Sequence, residues 1–326
     1  MAGSLEFDYW DSSQLRYANP NIWFSENQPK IKTNPLLGTL HIDKGGETDE
    51  LEAGKKYWIG AAVRNHGTIT GSVTLRFFLC DAGPMPRLST SHWPTDPSDP
   101  TLDPPPAQTQ PNIPAQGWAL FIGGQYLIPL DVSPGNHPCL VCVIDDGSAE
   151  SDYYLDDKRK PKVDKLVNLN DRVIAQHNVQ IAAFATSGSG INRIGYFSIY
   201  GHPERTPCSL ILRTPDGDEL PAIRELLGSS VNVRAVCDVT AETRVGLFES
   251  EPGYEAPVGE NELHELPIRV PVEGLEPYCE RKLYLGIKLP NSGGKSGGVS
   301  VAFTLMEQVT ERGELLGGIL IIALSW

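Results

Sequence analysis

A chain of 326 residues is long enough for two domains that each bury a core of their own. Hydrophobic residues make up 40% and charged residues 21%, a globular composition that excludes a disordered or membrane-embedded chain. The formal net charge of −14 repels a phosphate backbone, so no nucleic-acid partner is expected.

Residues 1–8 show neither a basic n-region nor an apolar h-region, so no Sec signal is expected. That predicts synthesis in the cytoplasm, with release or export as part of an assembly left open. Glycine (32) and proline (27) punctuate short segments throughout, which predicts many brief strands joined by turns. The stretch 19–23 (NPNIW) reads as an opening strand, followed by strands at 57–63 and 73–80 around a turn at Asn65-His66-Gly67. Trp58, and Trp118 further on, lie in strand patterns and are expected in the core.

Residues 81–117 are crowded with proline, which lacks an amide donor and restricts its predecessor, so a long loop without ladder or helix is expected. Strands resume at 118–122, 126–130 and 139–144. A second exposed loop is expected over 145–165, acidic first and then basic (Lys158, Arg159, Lys160, Lys162). A strand within 168–181 closes the first domain, which places the domains at 1–183 and 184–326.

The second half reads as strands at 194–200, 209–212, 231–236, 244–248, 266–270, 282–287, 299–305 and 315–324. That number of short strands at near-regular spacing is the pattern of a sandwich. One two-turn helical patch spans 220–228, with Pro221 near its start and Gly228 at its end. The expected fold is all-β: two tandem immunoglobulin-like β-sandwiches, with a long proline-rich insertion in the first.

The stretch 54–67 (GKKYWIGAAVRNHG) resembles the "G-x-x-Y-x-x-x-x-x-x-N-x-G" segment of CARDB-like bacterial adhesion modules. The stretch 167–179 (VNLNDRVIAQHNV) resembles the closing "N-N-x-A-Q-x-N" segment of such modules, departing from it at Asp171. Together with the opening strand, the resemblance covers about residues 5–183, interrupted by the two long loops. It implies an immunoglobulin-like sandwich acting as a binding or spacer module. Asn65 suits a turn needing positive φ, and Asn170 suits a loop brace, so both are read as scaffold.

Little in the chain promises chemistry. The stretch 292–296 (SGGKS) lacks the first glycine of a phosphate loop, having Leu289 there, and a strand rather than a helix follows. The seven histidines form no metal-binding pattern, and Cys139-x-x-Cys142 stands in an apolar strand without the helix that activates a redox dithiol. Cys139 and Cys142 face opposite ways on a strand, which disfavours a bond between them. The six cysteines are therefore read as reduced, buried thiols, with a Cys80–Cys142 bridge left open. No cofactor is expected. The weak candidates for calcium are Asp145, Asp146, Glu150 and Asp152, with Asp156 and Asp157 nearby, although their spacing does not match an EF-hand.

The expected function is therefore non-catalytic: tandem modules that self-assemble or dock another protein. Interaction candidates are Trp93 with His92 on the proline-rich loop, and the terminal run from Leu315 to Trp326, either a central strand or a donated edge. The partners expected are further copies of the chain or another protein. No stretch is long enough to span a membrane as a helix. The alternatives are a carbohydrate- or calcium-dependent binding module, built around Trp93 and the acidic loop, and a hydrolase with an unrecognised site.

Overall fold

The computed structural model describes residues 5–7, 18–19, 21–33, 40–48, 51–52, 54–80, 107–128, 139–157, 159, 162, 172–184, 192–201, 206–221, 223, 236–238, 243–249, 262–277, 279–289 and 299–325. They are mostly strand, with very little helix, and fall into two compact units that meet in the sequence between His177 and Asn178.

In chain order the N-terminal unit contains β1 (Leu5–Glu6), β2 (Ile22–Ser25), β3 (Lys30–Thr33), β4 (Leu40–Asp43), β5 (Lys56–Asn65), β6 (Gly71–Cys80), β7 (Ala107–Ile113), β8 (Trp118–Leu127), β9 (Cys139–Asp145), α1 (Ala149–Tyr154) and β10 (Ile174–His177). Strand β5 is the spine of one antiparallel sheet, with β8 on one side and β1 and β2 on the other. A second antiparallel sheet runs β10–β9–β6–β7, and β3 pairs with β4.

Period-two burial builds the core between the sheets. Tyr57, Ile59, Ala61 and Val63 of β5 are buried, as are Val73, Leu75, Phe77 and Leu79 of β6. A Cβ added at Gly123 of β8 would lie 2.9 Å from the Phe77 ring, so these two strands pack face to face at that glycine. Each of the valine, leucine, isoleucine and phenylalanine side chains among them contributes about 1.5–3 kcal/mol of burial.

Both sides of this sandwich are closed. On one, Gln110 of β7 donates from Nε2 to the carbonyl oxygen of Leu120 in β8 at 2.9 Å, capping an edge acceptor. On the other, the Asn19 amide donates to the Gln176 carbonyl at 2.8 Å, and His177 Nδ1 lies 3.0 Å from the Asn19 carbonyl oxygen. Asn65 does its bracing by side chain rather than by a positive φ. It ends β5, buried; its Oδ1 accepts the Gly67 amide at 2.9 Å, and its Nδ2 donates to the Ile69 and Ile113 carbonyls at 2.9 and 3.0 Å. Asn170 lies outside the described residues.

Several expectations change here. The 81–117 stretch does hold a ladder: β7 pairs with β6 along one sheet edge. Its register moves from Gly71↔Ile113 to Val73↔Gln110, so Pro111 and Asn112 (φ 60°) fall in a bulge where a missing donor is tolerated. Residues 81–106 lie outside the described residues. The expected strands at 118–122 and 126–130 are joined within β8, which runs to Leu127 with a register shift next to Gly124 (φ 104°); residues 129–130 lie outside the described residues. The 145–165 stretch contains α1, whose N-cap Ser148 accepts the Ser151 amide at 3.2 Å.

The C-terminal unit contains β11 (Val179–Phe184), β12 (Asn192–Tyr200), β13 (Cys208–Arg213), β14 (Val236–Asp238), β15 (Arg244–Glu249), β16 (His264–Glu265), β17 (Ile268–Val272), β18 (Glu280–Lys288), β19 (Val299–Thr310) and β20 (Leu315–Ser325). One sheet runs β11–β20–β19–β13–β17, with β14 also on β19; the other runs β12–β18–β15–β16. Gln308 Nε2 of β19 donates to the Tyr200 carbonyl of β12 at 2.9 Å, tying the two sheets together. Of the expected helical patch, Leu220, Pro221 and Ile223 are helical, as is the preceding Glu219, and the rest lies outside the described residues. Strand β20 is paired on both sides, in parallel with β11 and antiparallel with β19. The terminal run is therefore a central strand and not a donated edge.

Candidate interaction face

The residues singled out for chemistry do not form a reaction centre. Asp145, at the end of β9, accepts from Arg76 Nε at 2.6 Å and from Arg159, which also pairs with Asp152. The Arg159 guanidinium thus stands between two of the four calcium candidates. Asp146 Oδ1 accepts the Ser148 amide at 2.9 Å, and Glu150 is exposed in the first turn of α1. Burial pushes the Asp145 carboxyl up, but hydrogen bonds from Arg159 and Arg76 outweigh it and hold the group below the usual aspartate value. Among the described residues, no three His, Cys, Asp or Glu side chains converge as a metal site.

The thiols Cys139, Cys142 and Cys208 are free and buried, and Cys279 is free and exposed. Cys142 stands opposite Phe77, and Cys80 stands opposite Cys139 in the same sheet, so the Cys80–Cys142 pairing is not formed. Trp93, His92, Trp326 and the 292–296 stretch lie outside the described residues. Leu315 is half-buried at the start of β20, opposite Val309.

The feature that sequence reading missed is the outward face of the β5 sheet. Tyr57, Ile59, Ala61 and Val63 point to the core, so Lys56, Trp58, Gly60, Ala62 and Arg64 point outward. Across the ladder, Arg64 pairs with Trp118, Ala62 with Leu120, Gly60 with Ile122, Trp58 with Gln125 and Lys56 with Leu127. Trp23 of β2 sits opposite Gly60 on the same face.

The middle of this face is sealed. Trp23, Ala62 and Leu120 form a small cluster with Ile42 of β4 and Ile122 packed against it. Trp23 Nε1 donates to the Lys44 carbonyl at 3.1 Å, and Lys44 Nζ lies 4.9 Å from the centre of the indole ring. The ends are open. Trp118 is 42% exposed and Leu127 is 51% exposed, so the expectation that Trp118 is core is corrected; Trp58 is half-buried. Ile31, opposite Ile42 in the β3–β4 pair, is 52% exposed.

Each exposed apolar residue of β8 stands beside a cation of β5. The Arg64 guanidinium lies 5.6 Å from the Trp118 ring centre, and Lys56 is the register partner of Leu127. The four strands of this sheet carry one carboxylate, Glu6. It is buried, accepts from Arg172 at 2.8 Å and lies 3.6 Å from His66 Nε2. Two exposed apolar residues thus stand at opposite ends of β8, each beside a cation of β5, on a chain with 41 acidic and 27 basic residues.

No helix among the described residues is long and apolar enough to cross a membrane. No family model matches the chain, and no curated protein matches it. Three solved structures similar to it come from bacterial adhesion and biofilm proteins. The CupB6 tip adhesin from Pseudomonas aeruginosa is 8% identical with a TM-score of 0.25, over 94% of this chain and 99% of that chain. The BSP domain of a biofilm associated protein is 9% identical with a TM-score of 0.21, over 96% of this chain and 59% of that chain. The collagen adhesin (CNA) from S. aureus is 8% identical with a TM-score of 0.19, over 85% of this chain and 89% of that chain. Likeness of that size carries no inference about what this chain does.

Proposed function

We propose that this chain is a non-catalytic interaction protein of two immunoglobulin-like sandwiches, the first of CARDB-like type, which docks macromolecules on the outward face of the β5 sheet. The observation that carries the reading is the pair of exposed apolar residues on β8, Trp118 and Leu127, each beside a cation on β5. Tryptophan and arginine dominate binding hot spots, and Trp118 and Arg64 stand side by side on this face. The mechanism is passive: burial of the indole and leucine supplies affinity, and Lys56 and Arg64 select an acidic counterpart. No cofactor takes part.

The test is light scattering coupled to size exclusion, with negative-stain microscopy of the same fractions, on the wild type, Trp118→Ala and Leu127→Ser. A regular assembly that either substitution disperses supports the reading. An assembly indifferent to both overturns it.

A second reading, a carbohydrate-binding module, is favoured by the same exposed indole, whose face suits a sugar ring. A monomeric wild type whose thermal stability rises with a glycan, and no longer does so in Trp118→Ala, would establish that reading instead. The screen is run with and without calcium, because the acidic residues 145–157 belong to this alternative.

A further inference from the structure

The N-terminal sandwich has a second outward face. On β6, Val73, Leu75, Phe77 and Leu79 point to the core, so Thr74 and Arg76 point outward on the opposite side from Trp118. Thr74 stands opposite Asp145, and Arg76 is paired with Asp145, so the anchor of the α1 segment lies on that face. Arg159 clamps the segment down through Asp145 and Asp152, and Lys162 Nζ donates to the Asp152 carbonyl at 2.6 Å. Tyr154 and Leu155 are buried beneath it.

What the segment exposes is acidic and aromatic. Asp146, Glu150 and Asp157 are exposed, Asp152 is exposed but paired with Arg159, and Tyr153 is 39% exposed; residues 145–162 carry six carboxylates against the four cations Lys158, Arg159, Lys160 and Lys162. One face of the sandwich therefore offers tryptophan and leucine with cations, and the opposite face offers tyrosine with carboxylates.

We propose that the occupant of the β5-sheet face is a second copy of this chain, presenting its α1 segment. This rests on the docking reading above and adds the partner and the geometry. Charge complementarity argues for it: Lys56 and Arg64 meet an acidic surface that the same molecule carries. Placement argues for more than a pair. The two surfaces differ and lie on opposite sides of one sandwich, so the contact is heterologous. Each copy keeps one unfilled surface, and the series extends until rotation closes it into a ring.

The test uses the full chain, by light scattering across a concentration series. Lys56→Gln removes attraction from one face, and Glu150→Gln with Asp157→Asn from the other. All three positions are exposed, and circular dichroism confirms that the variants fold. The wild type is expected to grow beyond a dimer with concentration and to dissociate as salt is raised, because exposed ion pairs are screened. Each variant alone is expected to associate at least tenfold more weakly. An equimolar mixture of the two retains one intact face and one intact segment in different molecules, and is expected to stop at a heterodimer.

A wild type that halts at a dimer, with no heterodimer from the mixture, overturns the heterologous geometry. A wild type that stays monomeric overturns the choice of occupant. An assembly dispersed by Trp118→Ala but unaffected by the α1 substitutions overturns this inference and leaves the docking face standing. An assembly unaffected by both Trp118→Ala and Leu127→Ser overturns the reading on which it rests.

Discussion

The indole of Trp23 lies flat against Gly60, its register partner in β5, so closely that a Cβ at Gly60 would fall 2.5 Å from the indole Cε2. The ring has no room to retreat. Its Nε1 is bonded to the Lys44 carbonyl, and the Lys44 ammonium covers the ring at 4.9 Å. Gly60→Ala is therefore expected to destabilise the protein by about 2 kcal/mol through overpacking. Gly217→Ala, where nothing lies within 4 Å of the added carbon, is expected to be nearly neutral. Urea unfolding of the two variants checks the contrast. Equal midpoints would mean that the indole is not fixed against the β5 backbone.

The same contact shows where sequence reading stops. The stretch 57–63 announces β5 through Tyr57, Ile59 and Val63, and β6 announces itself through Val73, Leu75, Phe77 and Leu79. Strands β3 (KIKT) and β4 (LHID) carry no comparable local signal, being four residues each with polar residues at alternate or end positions, and Ile42 of β4 packs near Trp23. Strand β7 was hidden by its composition, since Gln-Thr-Gln-Pro-Asn does not reveal a bulge that accommodates the proline.

The candidate face was hidden for another reason. Trp118 opens a continuous apolar run, which by itself reads as buried on both sides. Its exposure follows from lying on the outward side of the sheet, and its partner Arg64 stands far away in the chain. Only the register brings them together. By contrast, a scaffold role for Asn65 was legible from its place two residues before a glycine, but through a positive φ; its side chain, accepting the Gly67 amide, does the bracing instead.

Arg213 is the hinge of a partly buried ionic triad. Its guanidinium donates to Glu219 at 2.7 Å through two nitrogens, and to Glu307 at 2.9 and 2.7 Å. The Glu219 side chain is 1% exposed and that of Glu307 is 11% exposed. Arg213→Ala leaves two carboxylates facing each other away from water, and is expected to cost about 3–5 kcal/mol. Arg213→Met with Glu219→Gln and Glu307→Gln removes the charges together and is expected to recover much of that loss. Thermal unfolding of both variants decides. A triple variant no more stable than Arg213→Ala would show that the triad acts through geometry rather than charge.

The Asp145–Arg159 clamp makes stability depend on acid. The Asp145 pKa is lowered in the folded chain, so its contribution is complete above the unfolded value, about 3.9, and disappears as pH falls through the lower folded value. Arg159→Ala is expected to cost about 1 kcal/mol at pH 7, since the pair is partly exposed. That difference from the wild type is expected to close as the pH falls well below about 4, where Asp145 is protonated in both proteins. Urea midpoints at neutral and acidic pH give the answer. A difference independent of pH would assign the loss to packing of the α1 segment.

The thiols divide by burial. Burial pushes the Cys139 thiol up to about 12, only partly offset by the Gln176 side chain, whose Nε2 lies 3.0 Å from its sulfur. Cys142 is also held well above the usual thiol value, first by burial and then by its neighbour Cys139, and burial also raises Cys208. The thiolate is the nucleophile, so at neutral pH these three groups are both shielded and protonated. Cys279 is exposed. In native protein a thiol reagent is therefore expected to modify Cys279 rapidly, and Cys139, Cys142 and Cys208 only on unfolding. Peptide mapping after timed labelling, with and without urea, reads each site separately. Native labelling of Cys139 at a rate near that of Cys279 would mean that β9 opens to solvent far more often than a central strand should.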